Sequence, residues 1–236
     1  MSEVGIPGYF FLLLFCLILP YLVFKASLKT RASKNPPPRT RYFFAVLLNQ
    51  AFFVVIALIT ARVERVDIFA RGAIGGKALL LAAGTLVLAV LSVPLRWKLT
   101  PDEERRRLLS ARPAKAGDLG PWFLVSLSAG TVEEIVYRGV MATLLERLTG
   151  SWPAAVAVSV AAFVLAHGGR GRHRLIVIGV LAVVFHALVR MTGTLYLAMA
   201  LHFLYDFIAG VIYLELGKRM PPAPALPAPA PPAPLP

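Results

Sequence analysis

The chain is short of charge, of acidic residues and of cysteine, and each shortage closes off a class of protein. Only 16% of its 236 residues are Asp, Glu, Lys or Arg, well below the quarter or so that covers a soluble domain. The apolar 58% is gathered in long blocks of the kind that membrane spans require. Together these features specify an integral membrane protein. The one cysteine, Cys16, lies inside an apolar run, so no intrachain disulfide can form. Twelve acidic residues face 25 Lys and Arg, a formal net charge of +13. Nucleic acid is not the expected partner, because the bases sit in short loops between apolar blocks, where they set membrane orientation. The lipid bilayer is.

The apolar blocks predict an all-α, polytopic membrane protein of about seven helices. The expected spans are 7–24, 42–61, 77–95, 119–145, 152–168, 175–190 and 194–215. The leader MSEVGIPG has no Lys or Arg, and no small-x-small cleavage site follows, so the first block is expected to stay as an anchor. Eighteen Lys and Arg fall in one set of alternate loops and the tail, and six in the other set. That bias predicts an N-terminus outside and a C-terminus in the cytoplasm, and the plasma membrane is the expected location. No internal repeat of the kind that builds inverted-repeat transporters is present.

Three regions follow from this organisation: an N-terminal membrane region over 1–118, a helical core over 119–215 and a tail over 216–236. The tail has nine prolines in its last sixteen residues and is expected to be extended and disordered. The stretch PDEERRRLLSARPAK, 101–115, reads either as an amphipathic helix on anionic lipid or as a solvated linker.

Ionisable groups stand out against this background. A charge near the centre of a span costs at least about 2.5–3.5 kcal/mol, so such residues pair, face a wet cavity or do chemistry. Here they are Glu133, Glu134 and Arg138 on the fourth span, His167 on the fifth, and His202 with Asp206 on the seventh. Glu134 and Arg138 are four residues apart and share a helical face, in the favourable order for an ion pair. Glu133 points about 100° away and is not part of that pair. His202 and Asp206 are also four apart, so Asp206 is expected to orient the imidazole, ligate a metal or help bind substrate. His186 lacks a carboxylate one turn away and is expected to pack, whereas His173 lies in a basic loop.

The three pieces EEIVYR (133–138), FVLAH (163–167) and HFLYD (202–206) match in order and spacing the pattern EExxxR, FxxxH and HxxxN or HxxxD. In these motifs the chain resembles the CPBP family, the CAAX prenyl protease and bacteriocin-processing group also called Abi. The resemblance covers roughly 119–215. It implies an intramembrane endopeptidase whose cavity opens toward the cytoplasm, with Glu133 and His167 activating water. His202 and Asp206 would then stabilise the oxyanion or hold substrate, and Glu134, Arg138 and Phe163 would support them. The resemblance leaves metal dependence open. Zinc is the candidate cofactor, with Glu133, His167 and His202 as its candidate ligands and an open water position. An ordinary zincin is excluded, since no HExxH is present.

The peptide substrate implied is a prenylated C-terminus, a bacteriocin-type leader or another membrane protein. Two other classes compete. One is a non-catalytic immunity or scaffold protein, and the other is a proton-coupled transporter, because Glu and His also build intramembrane proton relays.

Overall fold

A computed structural model describes residues 3–32, 38–168 and 171–220. The fold is helical throughout, 83% helix, with no strand among the described residues. In chain order the helices are α1 (Ile6–Leu13), α2 (Leu19–Ala32), α3 (Arg39–Val63), α4 (Gly76–Leu99) and α5 (Asp102–Ser110). There follow α6 (Leu119–Glu134), α7 (Ala142–Thr149), α8 (Trp152–Ala166), α9 (Arg172–Thr192) and α10 (Tyr196–Gly217). Wider π-helical turns join α1 to α2 (Leu14–Ile18) and α6 to α7 (Ile135–Met141).

Local chemistry sets several of these ends. Ser151 caps α8 by accepting from the Ala154 amide at 3.4 Å, and proline follows at its start. Gly150 and Gly193 close α7 and α9 at φ of 65° and 67°, a left-handed backbone that glycine adopts without strain. The carboxylate of Glu64, just past α3, accepts from the Gly5 and Gly8 amides at 3.0 and 2.9 Å. It thereby meets the positive end of α1 and ties the first helix to the third.

Five helices are long and apolar enough to cross a bilayer: Ile6–Ala26, Arg39–Val63, Gly76–Leu99, Arg172–Thr192 and Tyr196–Gly217. Their outward faces present Ile6, Phe10, Phe44, Leu80 and Leu88, the exterior of an integral membrane protein. Two of the seven expected spans depart from that standard. Helix α8 has 15 residues, about 22 Å at 1.5 Å per residue, against a hydrocarbon core of about 30 Å. The α6–α7 run carries Glu133, Glu134 and Arg138, which its neighbours cover rather than lipid. The 101–115 stretch does form a helix over Asp102–Ser110. Its Leu108 packs with Val93, Trp97, Ala209 and Tyr213, so an apolar side chain of α5 is spent on the bundle rather than on lipid. The proline-rich tail from 221 lies outside the described residues.

The approach of α10 to α6 positions everything that follows. A Cβ on Gly130 would stand 2.6 Å from the Phe203 backbone nitrogen, and one on Gly210 would stand 1.9 Å from Trp122 Nε1. Only glycine permits either approach, as at other close helix crossings in membranes. Glu134 lies one turn beyond Gly130 and His202 is next to Phe203, so this crossing brings those two side chains together. Gly130→Val should therefore destabilise the detergent-solubilised protein by about 1–3 kcal/mol of overpacking, read as a lower unfolding temperature. Gly84→Val, with nothing within 4 Å of the new Cβ, should leave it unchanged.

Candidate active site

The polar residues of three separate motifs meet in one place. Glu134, at the end of α6, accepts a hydrogen bond on Oε1 from Arg138 Nη1 at 3.1 Å, with both side chains fully buried. The same Oε1 lies 2.8 Å from His202 Nδ1 on α10. An ionised carboxylate only accepts, so Nδ1 carries the proton and Nε2 is the nitrogen turned to the cavity. Aromatic rings close this buried group. Arg138 stacks over Phe163 at 4.5 Å and Phe185 at 5.2 Å, and Phe185 also lies against the His202 ring at 5.2 Å. The wide π turn that begins at Ile135 carries Arg138, and such turns recur at functional sites.

Glu133 faces another way, as the helical spacing predicts. Its Oε2 stands 3.9 Å from His167 Nε2 and 3.9 Å from His202 Nε2. His167 sits at the C-terminal end of α8, where Nδ1 donates to the Phe163 carbonyl at 2.8 Å. That bond directs Nε2 to Glu133, and the Phe163 ring packs on the imidazole at 4.5 Å. Asp206 Oδ2 lies 3.9 Å from His202 Nε2. All four residues line a cavity of about 310 Å³. Glu133, His167 and Asp206 are partly accessible within it, at 18%, 15% and 27% side-chain exposure, whereas Glu134 is at 0%.

The spacing of His202 and Asp206 left Asp206 to orient the imidazole, ligate a metal or help bind substrate. The hydrogen bond that His202 donates from Nδ1 goes to Glu134, 68 positions away in sequence. Asp206 stays one turn along α10, facing the opposite ring nitrogen at a longer distance. His186 is buried and lies outside the cavity lining, in keeping with a packing role.

The cavity also holds residues that the motifs do not include. Gln50 on α3 donates from Nε2 to Glu133 Oε1 at 2.9 Å. Arg96 donates to the Tyr205 hydroxyl at 2.8 Å, and the Arg112 guanidinium lies over Trp122 at 4.8 Å. The signal for Gln50 was the amide pair in LLNQAFF, mid-span, where polar side chains are rare.

A zinc ion can be tested against the three candidate ligands. Zinc bonds of about 2.0–2.2 Å in tetrahedral geometry put ligand atoms about 3.3–3.6 Å apart. The two 3.9 Å separations around Glu133 Oε2 are wider, and no group of three His, Cys, Asp or Glu among the described residues forms a metal site. As they stand, Glu133, His167 and His202 do not fit the ion.

The buried triad makes a stability prediction. Glu134→Gln strands the Arg138 charge and weakens the support of His202, so it should cost about 3–5 kcal/mol, as when one partner of a buried pair is removed. Adding Arg138→Met to that variant should recover part of the loss, measured by thermal unfolding.

Comparison with known proteins agrees with the motifs. Residues 115–208 match the family model described as Rce1-like, type II CAAX prenyl endopeptidase Rce1-like. No curated protein and no solved structure matches the chain. The matched segment contains Glu133, Glu134, Arg138, Phe163, His167, His202 and Asp206, and excludes Gln50, Arg96 and Arg112. The match over residues 115–208 to the Rce1-like type II CAAX prenyl endopeptidase model is consistent with the CPBP family that the three motifs resemble.

Proposed function

We propose that the protein is an intramembrane endopeptidase that hydrolyses a peptide bond of a membrane-associated or prenylated substrate. The observation that carries this reading is the position of the Glu133 carboxylate, 3.9 Å from two imidazole nitrogens on two other helices within one cavity. A single water can hydrogen-bond to both Glu133 Oε2 and His167 Nε2 across that separation. Glu133 takes the proton from this water as the oxygen attacks the carbonyl carbon. His202, held through Nδ1 by Glu134, presents Nε2 to the developing oxyanion and donates to it when protonated. The Asp206 carboxylate supports that positive charge. The proton on Glu133 then passes to the leaving nitrogen as the C–N bond breaks. A positioned base of this kind contributes about 10²- to 10⁴-fold.

Other features fit the same substrate class. Arg96 and Arg112 line the cavity and suit an anionic group on the peptide, such as a terminal carboxylate. Apolar residues, among them Leu19, Val23, Val46 and Phe53, line it beside them and suit an apolar chain. In this reading α8 and the α6–α7 run complete seven spans, and the core over 119–215 is the catalytic unit. The N-terminus lies outside and the cavity opens to the cytoplasm, on the side of the loops richest in Lys and Arg.

Comparative proteomics of membranes from cells with the wild-type protein, with Glu133→Ala and with neither tests this function. New peptide termini should appear with the wild type alone. Identical termini in all three would count against proteolysis.

A further inference from the structure

Gln50 lies outside the matched segment and outside all three motifs, yet it touches the residue on which the chemistry turns. It sits in the middle of α3, is 6% exposed and lines the cavity. Its Nε2 donates to Glu133 Oε1 at 2.9 Å. The direction of that amide follows from chemistry, because an ionised carboxylate offers no proton and must face the NH₂ group. The other end of the amide is left without a hydrogen-bond partner among the described residues: Gln50 Oε1 is buried and makes none. A buried amide that gives up hydration at both ends and regains one bond is a poor stabilising device. An apolar side chain of similar size would pack there without an unmet acceptor. Functional sites are where such local costs are expected.

We infer that Gln50 is a positioning residue for Glu133. Its hydrogen bond anchors Oε1, so that Oε2 stays directed at His167 and His202. It does so without a cation. The neighbouring glutamate shows the alternative: Arg138 holds Glu134 as an ion pair, which fixes that carboxylate and also neutralises it. The Gln50 amide is neutral, so the bond that orients Glu133 adds no positive charge of its own beside the carboxylate. This inference rests on the reading of Glu133 as the base, and it recruits a helix from the N-terminal region into the active site.

The test uses full-length protein reconstituted in liposomes, with a fluorogenic peptide carrying a farnesylated cysteine followed by three apolar residues. Gln50→Leu, with Gln50→Met beside it in case the branched side chain does not pack, should lower kcat per folded molecule about 10- to 100-fold, as losses of orienting hydrogen bonds do. KM should be unchanged, and the unfolding temperature should be unchanged or higher. A merely structural Gln50 gives the reverse pattern, with lower stability and kcat per folded molecule intact, and that result would overturn the inference. An infrared difference spectrum, wild type minus Glu133→Gln, isolates the Glu133 carboxylate stretch without any substrate. The band should move in Gln50→Leu, and an unmoved band would also overturn the inference. If the wild type cleaves no peptide, the proteolytic reading fails, while the infrared result still decides the contact.

Discussion

The structure depends on one carboxylate buried where no water reaches it. Glu134 Oε1 receives Arg138 Nη1 from its own helical run and His202 Nδ1 from α10. Fully buried ions are costly, and a pair of them is weak evidence for stability as such. What the pair provides is register. The His202 bond ties α10 to the end of α6 at one point, and the glycines at 130 and 210 let the two helices come close enough to form it. The rings of Phe163 and Phe185 then seal the charge from lipid while packing on His167 and His202. One electrostatic requirement thus orients an imidazole and holds three helices at fixed distances.

Two adjacent glutamates divide the work because one residue turns a side chain by about 100° on an α-helix. Glu134 points into the bundle and is neutralised by a guanidinium. Glu133 points into the cavity, where an amide and two imidazoles are among its neighbours. That difference in surroundings is the basis of the proposed division, in which Glu134 is a fixed strut and Glu133 the proton acceptor.

Much of this was legible in the sequence, for a definite reason. Spacings of three or four residues report directly on one helical face, so the Glu134–Arg138 pair and the divergence of Glu133 could be read without coordinates. Contacts between helices could not. The Glu134–His202 bond joins residues 68 positions apart, and nothing in local spacing favours it over the i,i+4 partner Asp206. Gln50 was hidden in the same way: the Asn49–Gln50 amide pair stands out in its span, but the partner of Gln50 lies 83 residues downstream. The helix at Asp102–Ser110 was readable as amphipathic, but the surface that receives Leu108 is made by α4 and α10 and appears only once the bundle is assembled. The short α8 likewise gains its place from packing, since length and composition alone do not qualify it as a span.

The central claim is that Glu133 acts and Glu134 supports. Purified, reconstituted Glu133→Gln tests this most directly when unfolding temperature and single-turnover peptide cleavage are measured on one preparation. The account predicts an unfolding temperature close to that of the wild type and no detectable cleavage, because the amide keeps size and hydrogen bonding while removing the base. Retained cleavage, or a loss of stability as large as that of Glu134→Gln, would contradict it.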